Sequence, residues 1–323
     1  MKETKENPIL QSIFIAIICT LGIVGLSFIP FLNFLVLLCS VPIVVLARRK
    51  GQIFALLSLA IIGILIGFVN IYLSLFIIIT YASMIIAVPY VIDKRLDLTD
   101  SLAVCAGAAL ISIVIVLKVL SLMMGQDIFT YTWDFMRKFF STDREVISNL
   151  LEIYKSIGIL DNTITSMQFG ELVIDQLKLL TPSILVISAI IYGGSVFLLS
   201  RKILKRYNVD VQEIPEFSLW KLPRGTTRGF IVIFLLSTLG NRIGLKNFDV
   251  VSATVSMLFT FIFSVQGLAI LTFILNRTRI PKPLQYIIIV LSFLLLKTPL
   301  TFIGIFDQIF NIRGIGRGPK EKA

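Results

Sequence analysis

Long apolar stretches separated by short polar segments are the dominant pattern along this chain. Several of these stretches reach the roughly 20 residues that a helix needs to cross the hydrocarbon core of a bilayer. The pattern predicts an all-α protein, a polytopic transmembrane helical bundle with about eight to nine spans. The predicted spans are residues 9–28, 32–47, 52–69, 71–92, 102–124, 182–200, 229–243, 250–275 and 284–306.

The segment 201–228 fixes the orientation of the predicted spans. It is the one long non-apolar segment with a strong basic bias, and loops rich in Lys and Arg stay on the cytoplasmic side. Its basic residues are Arg201, Lys202, Lys205, Arg206, Lys221, Arg224 and Arg228. Shorter positive clusters at 48–50, 94–95 and 277–282 follow the second, fourth and eighth spans. The amino terminus is therefore predicted to be cytoplasmic as well.

The last apolar run, 284–306, leaves two topologies open. It contains Lys297, Thr298 and Pro299, where a helix would be kinked or broken. Nine complete crossings would place the basic carboxyl tail outside, against the positive-inside rule. Either the last run is re-entrant and returns to the cytoplasm, or the short tail is tolerated outside.

Residues 125–180 form the one sizeable region predicted on the extracytoplasmic side. Its first part is rich in aromatic residues, as at an outer membrane interface, and apolar residues then recur at helical spacing. Thr142 and Glu145 have the spacing of a capping box. We predict two or three short amphipathic helices over the outer mouth of the bundle, between an amino-terminal block of five spans (1–124) and a carboxyl-terminal transmembrane block (181–323).

Composition supports a membrane protein. Of the 323 residues 56% are hydrophobic and only 15% are charged, which is far more apolar than a soluble domain of this length. The net charge of +11 lies in short clusters between spans, an orientation pattern that argues against a nucleic-acid groove. The lipid bilayer is the first predicted partner, and a multi-pass location in a bacterial cytoplasmic membrane is expected.

The sequence carries no recognisable catalytic or metal-binding motif. Histidine is absent, which removes Ser-His-Asp and Cys-His nucleophile systems and the H-E-x-x-H motif. Cys19, Cys39 and Cys105 all fall inside predicted spans, where they are expected to be packing residues. We therefore expect neither an enzyme nor a cofactor or metal site.

Two polar side chains inside apolar runs are candidates for a ligand pocket. Gln266, beside Gly267, needs a hydrogen-bonding partner in the membrane, so it should face a neighbouring helix or a cavity. Lys297 stands at the predicted break, where freed carbonyls and water would accompany a binding site. The alternatives are helix packing for Gln266 and Gly267 and, for Lys297, the end of the run at the membrane surface.

Trp220, Lys221 and Arg224 are the candidate interface residues of the segment 201–228. A mixture of aromatic and basic side chains suits the lipid headgroup boundary, and Pro215 and Pro223 predict bends on both sides. The middle of the segment is predicted to lie along the membrane surface. Two interpretations remain, a plain connector with an aromatic anchor or a docking surface for a partner protein.

Asp307, Asn311 and Arg313 follow the last run and are predicted to form a polar cluster at the membrane interface. They belong to GIFDQIFNIRG (304–314), one of three motifs that carry a family resemblance. The other two are FSLWKLPRG, which begins at Phe217, and VQGLAIL around Gln266.

On these motifs the chain resembles the YybS-like family of bacterial multi-span membrane proteins. That family has been grouped with the substrate-binding subunits of energy-coupling-factor vitamin transporters. The resemblance implies a helical bundle with an outward-facing pocket under external loops, docked on a partner that supplies energy. The family carries an acidic residue directly before the arginine of the last motif, where this chain has Asn311 and Ile312.

Two functions from different classes are consistent with the sequence. The first is a small-solute-binding transport subunit that depends on an energising partner, with 125–180 as its lid and its pocket around Gln266 and Lys297. The second is a membrane scaffold or regulatory protein that acts through the cytoplasmic loop 201–228. A small-molecule ligand would distinguish the first, and a protein partner bound at that loop would distinguish the second.

Overall fold

The computed structural model describes residues 7–142 and 144–315, and these residues form helices joined by short connections. The α-helices are α1 (Pro8–Ser27), α2 (Ser40–Lys50), α3 (Gln52–Gly67), α4 (Ile71–Asp93), α5 (Leu98–Met124), α6 (Ile128–Thr142), α7 (Arg144–Ser156), α8 (Ser166–Arg206), α9 (Arg224–Arg242), α10 (Phe248–Leu275), α11 (Lys282–Leu295) and α12 (Lys297–Phe310). Two 3-10 helices, Pro30–Cys39 and Phe217–Leu219, precede α2 and α9. The predicted all-α class is confirmed.

Six helical segments of the described chain are long and apolar enough to cross a membrane. They are α1, the continuous stretch Pro30–Lys50, α4, α5, α8 and α10, and α11 with α12 makes a seventh when that pair is counted as one span. The predicted polytopic bundle is confirmed. The predicted spans 52–69 and 229–243 correspond to α3, which is apolar but has only 16 residues, and to α9, which has an arginine at each end.

The second predicted span begins as a 3-10 helix because proline interrupts its hydrogen bonding. Pro30 opens the ten-residue 3-10 stretch and Pro42, just inside α2, lacks a backbone N–H. Side chains from neighbouring helices use the carbonyls of this stretch: Tyr81 Oη donates to Val36 O, and Cys19 Sγ lies 3.4 Å from Cys39 O. Buried side-chain donors therefore complete the hydrogen bonding of the irregular backbone.

α8 is a single helix of 41 residues, whereas the sequence predicted an amphipathic stretch before Pro182 and a separate span after it. Pro182 lies inside the helix and removes one backbone donor. In apolar surroundings no water is present to replace the other helical hydrogen bonds, so a helix that is already formed continues through the proline.

The predicted amphipathic helices of the region 125–180 are present as α6, α7 and the first turns of α8. They enclose a small apolar cluster whose buried members are Ile147, Leu151 and Phe169. α8 starts at a capping box in which Gln168 N donates to Thr165 Oγ1 and Thr165 N donates to Gln168 Oε1, over 3.3 and 2.9 Å. The capping box predicted at Thr142 and Glu145 involves side chains that lie outside the described residues.

The chain divides into two compact units. The first runs through Lys178 and resumes at Ser188–Gln212, and the second takes Leu179–Ile187 and continues from Glu213. The predicted division into blocks 1–124, 125–180 and 181–323 stays a prediction. In the first unit α4 packs against α2, α3 and α5. Gly193 permits a close approach there, because a Cβ on it would lie 2.5 Å from Cys105 O.

α10 is the central helix of the second unit and packs against α9, α11, α12 and the 3-10 helix Phe217–Leu219. The run 284–306 is broken, as its Lys297-Thr298-Pro299 sequence predicts. α11 ends at Leu295, α12 begins at Lys297, and the two axes are bent by 102°. Pro299 falls in the first turn of α12, where a missing N–H is tolerated.

Candidate functional site

A buried ion pair lies at the carboxyl end of α12. Arg313 Nη2 and Nε lie 2.9 and 3.2 Å from Asp307 Oδ2, and the backbone N–H of Arg313 donates to Asp307 Oδ1 over 3.2 Å. Both side chains are 0% exposed. The sequence predicted that these two residues belong to a polar cluster at the membrane interface. The structure shows them paired and buried inside the protein, and their position relative to the membrane stays a prediction.

The local sequence explains how Arg313 comes back to Asp307. Asn311 ends α12 in the left-handed conformation, with φ of 51°, which asparagine adopts more readily than most residues. Its N–H donates to Asp307 O over 2.7 Å, and the chain then reverses so that Arg313 lies over the last turn. The acidic partner of Arg313 is therefore Asp307, six residues earlier, and not the residue directly before it.

Gln266 joins this pair from α10. Its Nε2 donates to Asp307 Oδ2 over 3.1 Å, and the residue is 4% exposed. A side-chain amide inside an apolar helix is costly unless it is hydrogen-bonded, and here a carboxylate on the neighbouring helix accepts. We call Gln266, Asp307 and Arg313 the buried cluster.

The buried cluster also holds the segment 213–223. Arg313 Nη1 donates to Ser218 O over 2.5 Å, and its Nη2 donates to Trp220 O over 2.7 Å. Gln308 Nε2 donates to Leu222 O over 2.6 Å. Three backbone carbonyls of the segment thus accept from the end of α12 and the turn after it, and the two bonds from the charged guanidinium of Arg313 are of the strong, charge-assisted kind.

Within the segment, aromatic residues stabilise the 3-10 helix Phe217–Leu219. Trp220 Nε1 donates to Pro215 O over 3.0 Å, and the Phe217 and Trp220 rings meet edge to face with centroids 5.2 Å apart. Lys221 Nζ lies 2.7 Å from Asn311 Oδ1. The side chain of Arg224, the third predicted interface residue, lies outside the described residues.

Two glycines let α10 and α12 touch backbone to backbone. A Cβ on Gly267 would overlap Leu300 O, and a Cβ on Gly304 would overlap Phe263 O. Gly267, a predicted pocket or packing residue, lies at a helix contact in this structure. Gly304 was missed, although a small residue inside an apolar run is a usual sign of close helix packing.

Lys297 lies apart from the buried cluster. It is half-buried at the first residue of α12, ten residues before Asp307, which corresponds to about 15 Å along the helix axis. Its carbonyl accepts from Thr301 Oγ1 over 2.9 Å. The structure therefore brings Gln266 to Asp307 and Arg313 and leaves Lys297 at the opposite end of α12.

A groove of about 530 Å³ lies in the predicted lid region. Its walls come from α6 and the start of α8, and Arg137 Nε lies 3.1 Å from Glu171 Oε1 at one side of it. The hydrogen bond that Arg137 donates to Glu171 raises the pKa of Arg137 above its ordinary value. This groove contains polar and apolar side chains, as small-molecule sites do.

Comparisons with known proteins agree with this architecture. A family described as "Predicted membrane protein (DUF2232)" matches residues 16–308, which include Gln266 and Asp307. The chain is 23% identical over 136 residues to the uncharacterized protein YybS of Bacillus subtilis (strain 168). That match covers 42% of this chain and 44% of YybS, so the chain matches less than half of its relative's length. No solved structure matches the chain significantly.

Proposed function

We propose that this chain, which belongs to the DUF2232 family of predicted membrane proteins, is a non-enzymatic membrane scaffold that docks a partner protein at the segment 213–223. The chain is an integral membrane protein, and the docking role is our inference. Family membership is consistent with this role and with others.

The observation that carries the proposal is the set of hydrogen bonds from the buried cluster to the segment 213–223. Arg313 donates its hydrogen bonds to Asp307 and to the carbonyls of Ser218 and Trp220, all of which belong to this chain. A buried guanidinium with these partners fixes the backbone conformation of the segment and is not available to bind a solute. A surface that is fixed before binding loses less conformational entropy when a partner binds.

The outward side of the segment has the character of a docking surface. Leu219 is 41% exposed, between the half-buried aromatic rings of Phe217 and Trp220. Glu213 and Glu216 are exposed beside them. Apolar and aromatic anchors with a polar rim are typical of protein interfaces, so we infer a partner with a small apolar patch.

Gentle purification from the native membrane followed by native mass measurement tests the proposal. We expect a discrete protein partner on the wild-type chain, and Leu219→Asp should reduce its recovery at least tenfold, the effect of roughly 1.4 kcal/mol of binding free energy. The control is Leu236→Ala, at a residue of α9 that is 60% exposed and outside the segment 213–223. Alanine is used there because an aspartate in α9 would disturb insertion into the membrane. A bare chain with no partner contradicts the proposal.

A solute-binding transport subunit dependent on an energising partner is the second candidate. The groove beside Arg137 and Glu171 favours it, since its volume is in the range of small-molecule sites. The same mass measurement separates the two functions. A retained small molecule, with saturable binding in detergent that Arg137→Gln weakens, would support the transport subunit, and a retained protein lost in Leu219→Asp would support the scaffold.

A further inference from the structure

We propose that α11 and α12 form a re-entrant hairpin that enters the membrane from the cytoplasmic face, turns at Leu296 and returns to the same face. The end of α12 would then provide a membrane-buried base for the segment 213–223. The placement of the hairpin is independent of the docking role, and only its use as a base for a docking surface rests on the proposed function.

The contacts between α12 and α10 show that these helices cross at a steep angle. Thr301 Oγ1 donates to Thr260 O over 3.2 Å, and Gln266 donates to Asp307; both pairs are 41 residues apart in sequence. Gly304, between them on α12, faces Phe263. Gly267, later on α10, instead meets Leu300, earlier on α12, so the contacts keep neither a parallel nor an antiparallel register and α12 runs across α10.

α11 runs antiparallel to α10. Gln285 Nε2 donates to Leu275 O over 3.1 Å, while the Phe293 ring meets the Phe261 ring with centroids 6.5 Å apart. As α11 advances, its partners on α10 move backwards. α11 therefore ascends beside α10, and the 102° change of direction at the turn carries α12 no further toward the opposite face.

Part of the backbone at the turn is hydrogen-bonded within the chain. Leu296 N donates to Ser292 O over 2.8 Å, and Leu296 O accepts from Leu300 N over 3.0 Å. Pro299 has no N–H to satisfy, and Thr301 Oγ1 covers the carbonyl of Lys297. Irregular backbone within a membrane requires partners of this kind.

Two charge arguments place both ends of the hairpin in the cytoplasm. Arg277, Arg279 and Lys282 mark the start of α11 as cytoplasmic. The end of α12 is hydrogen-bonded to the segment 213–223, which belongs to the basic loop 201–228. The tail beyond residue 315 carries Arg317, Lys320 and Lys322, and a cytoplasmic location for it obeys the positive-inside rule that nine full crossings would violate.

Cysteine accessibility in the full chain tests the hairpin. Cys19, Cys39 and Cys105 are replaced by alanine, and single cysteines are introduced as Ile312→Cys after α12, Arg279→Cys as the cytoplasmic reference and Lys246→Cys as the external reference. A membrane-impermeant maleimide is applied to intact cells and to inverted vesicles. We expect Cys at 312 to follow the reference at 279, with labelling at least tenfold stronger in inverted vesicles. Labelling from outside, like that at 246, overturns the hairpin.

Leu295→Cys examines the turn, where the native side chain is 76% exposed on the protein surface. A turn inside the hydrocarbon should be labelled from neither side, because the thiolate that reacts does not form in lipid. Labelling from outside indicates a complete crossing, and strong labelling from inside indicates a pair lying on the cytoplasmic surface; either result contradicts the proposal. A carboxyl-terminal green fluorescent protein, which fluoresces only in the cytoplasm, reports the side of the tail without altering the site.

Discussion

The buried cluster and the groove of the lid region both pair an arginine with a carboxylate, but they do so in different surroundings. Asp307 and Arg313 have 0% exposed side chains, whereas Arg137 and Glu171 are 44% and 47% exposed. Arg313 also binds two carbonyls of a distant segment, while Arg137 is shared between Glu171 and its helical neighbour Asp134. The buried pair fixes the conformation of the segment 213–223, whereas the exposed pair lies on the protein surface.

The difference indicates which part of the chain depends on an ion pair for its conformation. A buried ion pair is costly to form and still more costly to break, because removing one partner leaves the other charge unpaired in a low dielectric. An exposed pair loses little when broken, since water solvates both groups. Substitutions in the buried cluster are therefore expected to destabilise the second unit, whereas substitutions of the charged residues in the groove should change stability little.

Removal of Arg313 should have the largest effect. Arg313→Ala leaves Asp307 buried without its cation and leaves the carbonyls of Ser218 and Trp220 without a donor, so we expect a loss of about 3–5 kcal/mol in the free energy of unfolding. Thermal unfolding followed by tryptophan fluorescence in detergent measures the loss, and Trp220 reports the site itself. An unchanged midpoint would mean that the pair does not hold the segment. The double variant Asp307→Leu with Arg313→Leu should recover part of the stability, because no unpaired charge remains.

A methyl group at Gly304 should have an intermediate effect. Gly304→Ala drives a Cβ into Phe263 O, so α12 must move away from α10, and overpacking of this kind typically costs about 1–3 kcal/mol. Gly107→Ala is the matched control in α5, because a Cβ there meets no atom within 4 Å. If both variants unfold at the wild-type temperature, the helices are not in backbone contact.

The sequence predicted the helical architecture well because hydrophobic length is a local property. It also predicted that Gln266 would need a partner and that the last run would break near Lys297. It missed the partner's identity, since Asp307 follows 41 residues later on a helix whose position depends on the bend. It also did not predict that Arg313 would be buried, because charge alone favours water and only the left-handed Asn311, which returns the chain, reveals the burial.

Replacement of Arg137 should have the smallest effect and so completes the comparison. Arg137→Gln removes an exposed ion pair, for which we expect a loss of stability far below that of Arg313→Ala at low salt and smaller still at high salt, where such pairs are screened. Glu171 raises the pKa of Arg137, and a group whose pKa is raised in the folded state stabilises at every pH below its unfolded value. The small contribution of this arginine should therefore be constant through neutral pH and disappear only in strong alkali. Thermal midpoints of wild type and variant at low and high salt measure it, and a loss as large as that of Arg313→Ala would mean that the groove, too, is held by its charges.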